Sequence, residues 1–257
     1  MCELFGVTSN KKVKLNNYLK EFFSHSNMHP NGWGMAFFDD ADLSILREPK
    51  NASKSSYLDN LLSDEIESSK MLAHIRLATI GHEEYHNTHP FVKKDKVNRT
   101  WVFAHNGTIF EAPDLSKYQK VQEGDTDSER ILLYITDRVN ECLDASPGYF
   151  GSEERIKLIE SITNKLAEHN KLIFILYDGE YYYVHKNEVG TLYKKEDNGT
   201  VYFSTQPLDK DGWEEVDQNR LLVYKNGELI HKGEKHNFSH VTTEEEMKML
   251  FMNYASL

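Results

Sequence analysis

Met1-Cys2-Glu3-Leu4-Phe5-Gly6-Val7 opens the chain with a thiol in second place and an apolar run behind it. Leu4 to Val7 reads as a short strand. Strand signals recur at Trp33 to Phe38 and Leu43 to Leu46, a hairpin across Asp39-Asp40-Ala41-Asp42, then at Met71 to Leu77 and Thr100 to His105. Leu15 to Phe23, apolar at Leu15, Tyr18, Leu19, Phe22 and Phe23, reads as a helix, as does Tyr57 to Leu62. Asn106-Gly107 favours positive backbone angles and so predicts a sharp turn. Two amphipathic helices follow, Ser128 to Leu143 and Glu153 to His169, with apolar stripes Ile131-Leu132-Ile135-Val139 and Ile156-Ile159-Ile162-Leu166. The last third returns to strands, Leu172 to Tyr177, Tyr181 to His185, Val201 to Ser204 and Leu221 to Tyr224, punctuated by Asp178-Gly179, Asn198-Gly199 and Asn226-Gly227. A helix over Thr243 to Tyr254 closes the chain. Strands, then helices, then strands with hairpin turns predict a layered α+β domain with antiparallel sheets, not a βαβ repeat.

The 257 residues suffice for one domain with a sizeable core, spanning 1–257. A net charge of -11 repels phosphate backbones and anionic lipid, which argues against nucleic-acid and membrane partners. Phe37, Phe38, Tyr181, Tyr182 and Tyr183 accordingly read as strand core and surface rather than a base-stacking platform. The first residues lack a secretory pattern and no run approaches membrane-span length, so a cytoplasmic protein is expected. With only Cys2 and Cys142, there is no disulfide framework, and a reduced thiol is available for chemistry. Cys142 reads as a packed thiol on a helix.

Removal of Met1 would leave Cys2 with a free α-amine of pKa near ~7.7–8.0 beside a thiol near ~8.5, so that the amine can act as base for its own nucleophile. The competing reading is a buried structural cysteine. Asn106 and Gly107 offer an amide side chain and an N–H for an oxyanion, or an ordinary turn. Arg76, in His74-Ile75-Arg76-Leu77-Ala78-Thr79, offers a bidentate fork to a carboxylate. Asp125-Thr126-Asp127-Ser128-Glu129 leads into a helix, where Asp125 or Asp127 would cap free N–H groups. His82-Glu83-Glu84-Tyr85-His86 fits the H-E-x-x-H pattern of zinc hydrolases, but Gly81 before it and Asn87, Thr88 and Pro90 after it work against the helix such a site needs. His25, His29 and His185 read as surface or hydrogen-bonded core residues.

In this order, Cys2 with Leu4-Phe5-Gly6-Val7, Asn31-Gly32-Trp33-Gly34, His74 to Thr79, Asn87-Thr88-His89-Pro90-Phe91, His105-Asn106-Gly107 and Gly124 to Glu129 resemble the class II glutamine amidotransferases, most of all their stand-alone branch. The resemblance reaches Ser204-Thr205-Gln206-Pro207-Leu208 and Trp213. It implies an N-terminal-nucleophile hydrolase fold, a four-layer αββα sandwich of two antiparallel sheets between helices, with Cys2 at the start of a central strand. It further implies that Cys2 attacks the side-chain amide of glutamine to form a γ-glutamyl thioester. Arg76 would hold the α-carboxylate with help from Thr79, Asp127 the α-ammonium, and Asn106 and Gly107 the oxyanion. No metal or organic cofactor is required.

Two positions depart from the family: Ile80 stands where many members have histidine, and Asn31 where many have aspartate. Both bear on the substrate more than on Cys2. No stretch is long enough for a synthase domain, which leaves an independent hydrolase of glutamine or of γ-glutamyl amides and peptides, or a glutaminase subunit serving a separate synthase partner. A non-catalytic module that binds a γ-glutamyl ligand or a protein is a further reading, and keeping Cys2 together with Arg76, Asn106, Gly107 and Asp127 argues against it.

Overall fold

The computed structural model describes residues 2–39, 42–78, 81–145, 150–246 and 248. The first half runs β1 (Glu3–Lys14), α1 (Asn16–Ser24), β2 (Trp33–Asp39), β3 (Asp42–Glu48), α2 (Ser56–Ser63), β4 (Glu67–Ile75), β5 (Phe91–Lys94) and β6 (Thr100–His105). The second half runs α3 (Asp127–Ala145), α4 (Ser152–Ala167), β7 (Phe174–Tyr177), β8 (Tyr182–His185), β9 (Tyr193–Asp197), β10 (Thr200–Ser204), β11 (Trp213–Glu215), β12 (Leu222–Lys225) and β13 (Glu228–Lys232). They form a seven-stranded sheet, β11-β9-β10-β1-β4-β2-β3, and a six-stranded sheet, β13-β12-β8-β7-β6-β5, and every ladder is antiparallel.

The alternation of β1 decides how the layers stack. Successive side chains of a strand point to opposite faces. Leu4 packs with Val102, Ala104, Ile173 and Ile175 of the six-stranded sheet, whereas Phe5 and Val7 pack with Leu19, Phe22 and Leu58 of α1 and α2. The even-numbered face of β1 is therefore the inter-sheet face. Gly6 lies on it, and a Cβ there would stand 2.3 Å from the Tyr182 hydroxyl, which donates to the Met71 carbonyl at 2.7 Å and so ties the sheets together. On the outer face of the six-stranded sheet, Phe103, Leu176 and Tyr183 meet the apolar stripes of α3 and α4. Ile131, Leu132, Ile135 and Val139 of α3 and Ile156, Ile159, Ile162 and Leu166 of α4 are all buried, as their spacing predicts. The result is the αββα sandwich.

The hairpin residues Asn198-Gly199 and Asn226-Gly227 adopt the positive φ values their type requires, 46° and 78°, and 51° and 83°. Asn106-Gly107 does not, and the expected turn is absent. Instead the chain bends at Gly107 without a positive φ and returns to pairing, with Thr108 bridged to Lys171. Strand β1 is longer than its apolar run because its second half is polar; Ser9 and Thr200 share a 2.7 Å hydroxyl bond in the ladder. Of the closing helix, residues 244–246 and 248 are helical, and the rest of Thr243 to Tyr254 beyond them lies outside the described residues, as do Asp40 and Ala41 of the first hairpin. Among the described residues, no helix is long and apolar enough to cross a membrane.

Candidate active site

Strand parity gathers the sequence-predicted residues. Cys2 precedes Leu4 by two and so faces the six-stranded sheet. In β4, Leu72 packs between the sheets while Met71, Ala73 and Ile75 face α1 and α2, which sends His74 and Arg76 inward. Glu3 pairs with Ile75 and Leu4 with His74, and the same register carried one step further sets Cys2 opposite Arg76. In β6, Ala104 packs inward and Asn106, two residues on, follows it. Cys2, Asn106 and Gly107 line one pocket.

Asn106 donates its backbone N–H to the Ile173 carbonyl at 2.8 Å, and Thr108 donates to the Lys171 carbonyl at 3.0 Å. Alternate N–H groups of an extended segment point to opposite sides, so the Gly107 N–H is turned away from that ladder. Glycine is required here by space: a Cβ would fall 2.1 Å from the Lys171 carbonyl oxygen and 2.5 Å from His105 Nε2. Gly107→Ala is expected to cost about 1–3 kcal/mol, read from urea unfolding. An unchanged midpoint would show that the backbone shifts freely and that this reading of Gly107 is wrong.

Arg76 is buried, and its guanidinium donates to the His82 carbonyl at 2.8 Å and the Gly81 carbonyl at 2.9 Å. Its main chain is clamped to the Asn31-Gly32 segment, Arg76 N–H to Gly32 O at 2.8 Å and Asn31 N–H to Arg76 O at 3.0 Å. The Asn31 side chain accepts the Ala78 N–H at 2.9 Å, fixing the chain as it leaves the strand. Asp127 is buried at the first turn of α3, where it accepts the Ile109 N–H at 2.9 Å. Neither Asp125 nor Asp127 caps the helix. Thr126 does, its hydroxyl accepting the Glu129 N–H at 3.2 Å, which leaves Asp127 turned into the molecule. Thr79 lies outside the described residues.

The Cys2 thiol donates to the Leu77 carbonyl at 3.4 Å. Burial pushes its pKa up, Arg76 draws it down and Asp127 raises it, for a net rise. A thiol so placed keeps its proton at neutral pH until a base removes it. The His74 and His89 rings stack with centroids 4.0 Å apart, both buried. Burial holds His74 well below the usual histidine range, reinforced by Arg76, and holds His89 there too, reinforced by His74. A histidine depressed in the folded state stabilises it fully above the unfolded value near ~6.5 and loses that stabilisation as pH falls. The urea midpoint should drop between about pH 7 and pH 5. A flat or rising midpoint would mean that these rings accept protons in place.

His82 and His86 are not paired on a helix. Tyr85–Asn87 is a single 3-10 turn, His82 faces Asp125 at 3.9 Å, and His86 faces Glu123 at 3.1 Å. Among the described residues, no three His, Cys, Asp or Glu side chains converge as metal ligands. The sequence reading did not anticipate Lys171, His240, Thr242 and Glu246, which line the Cys2 pocket from far along the chain. Of these, only Lys171 lay beside a predicted strand.

Residues 1–194 match a family model described as "Glutamine amidotransferases class-II". An uncharacterized protein of Methanocaldococcus jannaschii is 31% identical over 277 aligned residues, which cover 97% of this chain and 75% of that protein. The solved structure of a Pseudomonas aeruginosa protein described as a predicted glutamine amidotransferase is similar with a TM-score of 0.63 at 19% identity, over 90% of this chain and 100% of that one. Glutamine phosphoribosylpyrophosphate amidotransferase of Bacillus subtilis gives 0.62 at 17% identity, over 89% of this chain and 48% of that one.

Proposed function

The chain belongs to the class II glutamine amidotransferases and has the N-terminal-nucleophile hydrolase fold, and from that premise we propose that it hydrolyses glutamine or a γ-glutamyl amide through Cys2. Removal of Met1 frees the Cys2 amine, which takes the thiol proton. The Sγ then attacks the side-chain amide carbon. The Asn106 side-chain amide and the Gly107 N–H receive the oxyanion as it forms. The tetrahedral adduct collapses, its C–N bond breaks, and the proton held on the amine goes to the departing nitrogen. Water attacks the γ-glutamyl thioester, releasing glutamate and restoring the thiol. Arg76, with Thr79, holds the α-carboxylate and Asp127 the α-ammonium.

The observation that carries this reading is the pocket shared by Cys2, Asn106 and Gly107, nucleophile and oxyanion donors brought together from different sheets. The raised thiol pKa supports the need for an internal base. Each step is served by groups of the chain itself. Hydrolysis is preferred over delivery of ammonia to a separate synthase because the chain's own His240, Thr242 and Glu246 line the same pocket as Cys2. The purified protein should convert glutamine, or a γ-glutamyl amide, to glutamate and free amine in equal amounts. Turnover of none of these substrates would overturn the proposal.

A further inference from the structure

The pocket lined by Cys2, Asn106 and Gly107 is also lined by Phe110, His240 and Glu246. Arg76 and Asp127, the proposed anchors of the amino-acid head group, do not line it. A head group held by Arg76 and Asp127 would leave this pocket to the departing amine.

Its outer wall is a built structure. The Asn187 side chain donates to the Phe238 carbonyl at 3.1 Å, and the Asn187 carbonyl accepts the His240 N–H at 2.8 Å. Thr242 donates its N–H and its hydroxyl to Glu188 Oε1, at 3.0 and 2.6 Å. Phe110 stacks on the His240 ring with centroids 5.9 Å apart. The charges within this wall are unequal. Lys171 is paired with Glu188. The His240 side chain is only 9% exposed, and its Nε2 has no hydrogen-bond partner among the described residues. Burial holds its pKa below the usual range, so at neutral pH the ring is uncharged. Glu246 lies 3.6 Å from that Nε2, and His240 is its only ion-pair candidate among the described residues. Among the described residues, no lysine or arginine forms an ion pair with this carboxylate.

We propose that this outer pocket is a leaving-group subsite, and that it selects γ-glutamyl amides whose leaving amine carries a second, protonated amine over those whose leaving amine carries a carboxylate. The inference rests on Cys2 being the nucleophile. Attack by Sγ breaks the C–N bond, the Cys2 amine passes its proton to the departing nitrogen, and the freed diamine leaves while its far ammonium faces Glu246. Water then completes the turnover as it does for glutamine.

The test compares kcat/KM of the full-length protein for glutamine, the γ-glutamyl monoamide of a short diamine, and γ-glutamylglycine. The diamine amide should exceed γ-glutamylglycine by about tenfold or more, the size of one charge contact in a partly solvated site. Glu246→Gln should bring the ratio close to one, and Glu246→Lys should invert it. Glutamine keeps an acceptor for the Thr243 N–H, which Glu246 now accepts at 2.8 Å, so the local fold is retained. A wild-type ratio near or below one, or a ratio that neither substitution moves, would overturn the proposal. Turnover of glutamine without turnover of either larger amide would overturn the subsite and leave Cys2 standing. Inactivity on all three substrates, with Cys2 unreactive to a glutamine-like electrophile, would remove both.

Discussion

Cys2→Ala is expected to lower kcat/KM for glutamine by about 10⁴-fold or more, the size of loss seen when a nucleophile is removed from a covalent mechanism. The parity of β1 places no other thiol on the inter-sheet face, since Cys142 belongs to α3 on the far side of the six-stranded sheet. Nor is there a structural reason for the variant to fail. The thiol makes one weak bond, to the Leu77 carbonyl, and the strand behind it is held by two ladders that do not depend on the side chain. The variant should therefore unfold at close to the wild-type urea concentration while losing turnover. Full activity in Cys2→Ala would reassign the nucleophile.

Asn106→Ala is expected to lower kcat for glutamine by about 10²–10³-fold while changing KM little, as loss of one oxyanion donor does elsewhere. The backbone bond from Asn106 to Ile173 at 2.8 Å survives the substitution, so β6 stays in register and Gly107 keeps its orientation. The split between kcat and KM carries the diagnosis. An interaction made only with the developing oxyanion vanishes from kcat, whereas a contact to bound glutamine would show in KM. Unchanged kcat with a raised KM would move Asn106 from the oxyanion to ground-state binding.

Periodicity revealed the helices well because each has one apolar stripe. The four isoleucine and leucine positions of α4 are buried as spaced. It served the sheets less well at their margins. Strand β9, Tyr-Lys-Lys-Glu-Asp, has no apolar alternation to read, because its two lysines, one on each face, pair with Glu196 and Glu214 and with Asp209. Asn106-Gly107 bends, but without the positive φ its composition suggests. Local propensity favours positive φ there, but the ladder bonds of Asn106 to Ile173 and of Thr108 to Lys171 on either side of Gly107 hold the segment to the sheet.

At the site, the ordered motifs singled out Cys2, Arg76, Asn106, Gly107 and Asp127 as candidates, and strand parity turns Cys2, Arg76 and Asn106 toward the inter-sheet layer. The cap of α3 was assigned to the wrong residue, since threonine and aspartate both cap and only the backbone shows that Thr126 occupies the position. His240, Thr242 and Glu246 could not be anticipated. They reach the pocket through contacts more than fifty residues apart in sequence, such as Glu188 with Thr242, and no local pattern records such a meeting.

The central claim is that Cys2 is an N-terminal nucleophile, and intact-protein mass spectrometry after incubation with a glutamine-like electrophile tests it most directly. The expected result is a mass lacking Met1 and carrying one adduct, mapped to Cys2 and suppressed by excess glutamine. A chain that keeps Met1 and takes up no adduct at Cys2 would contradict it.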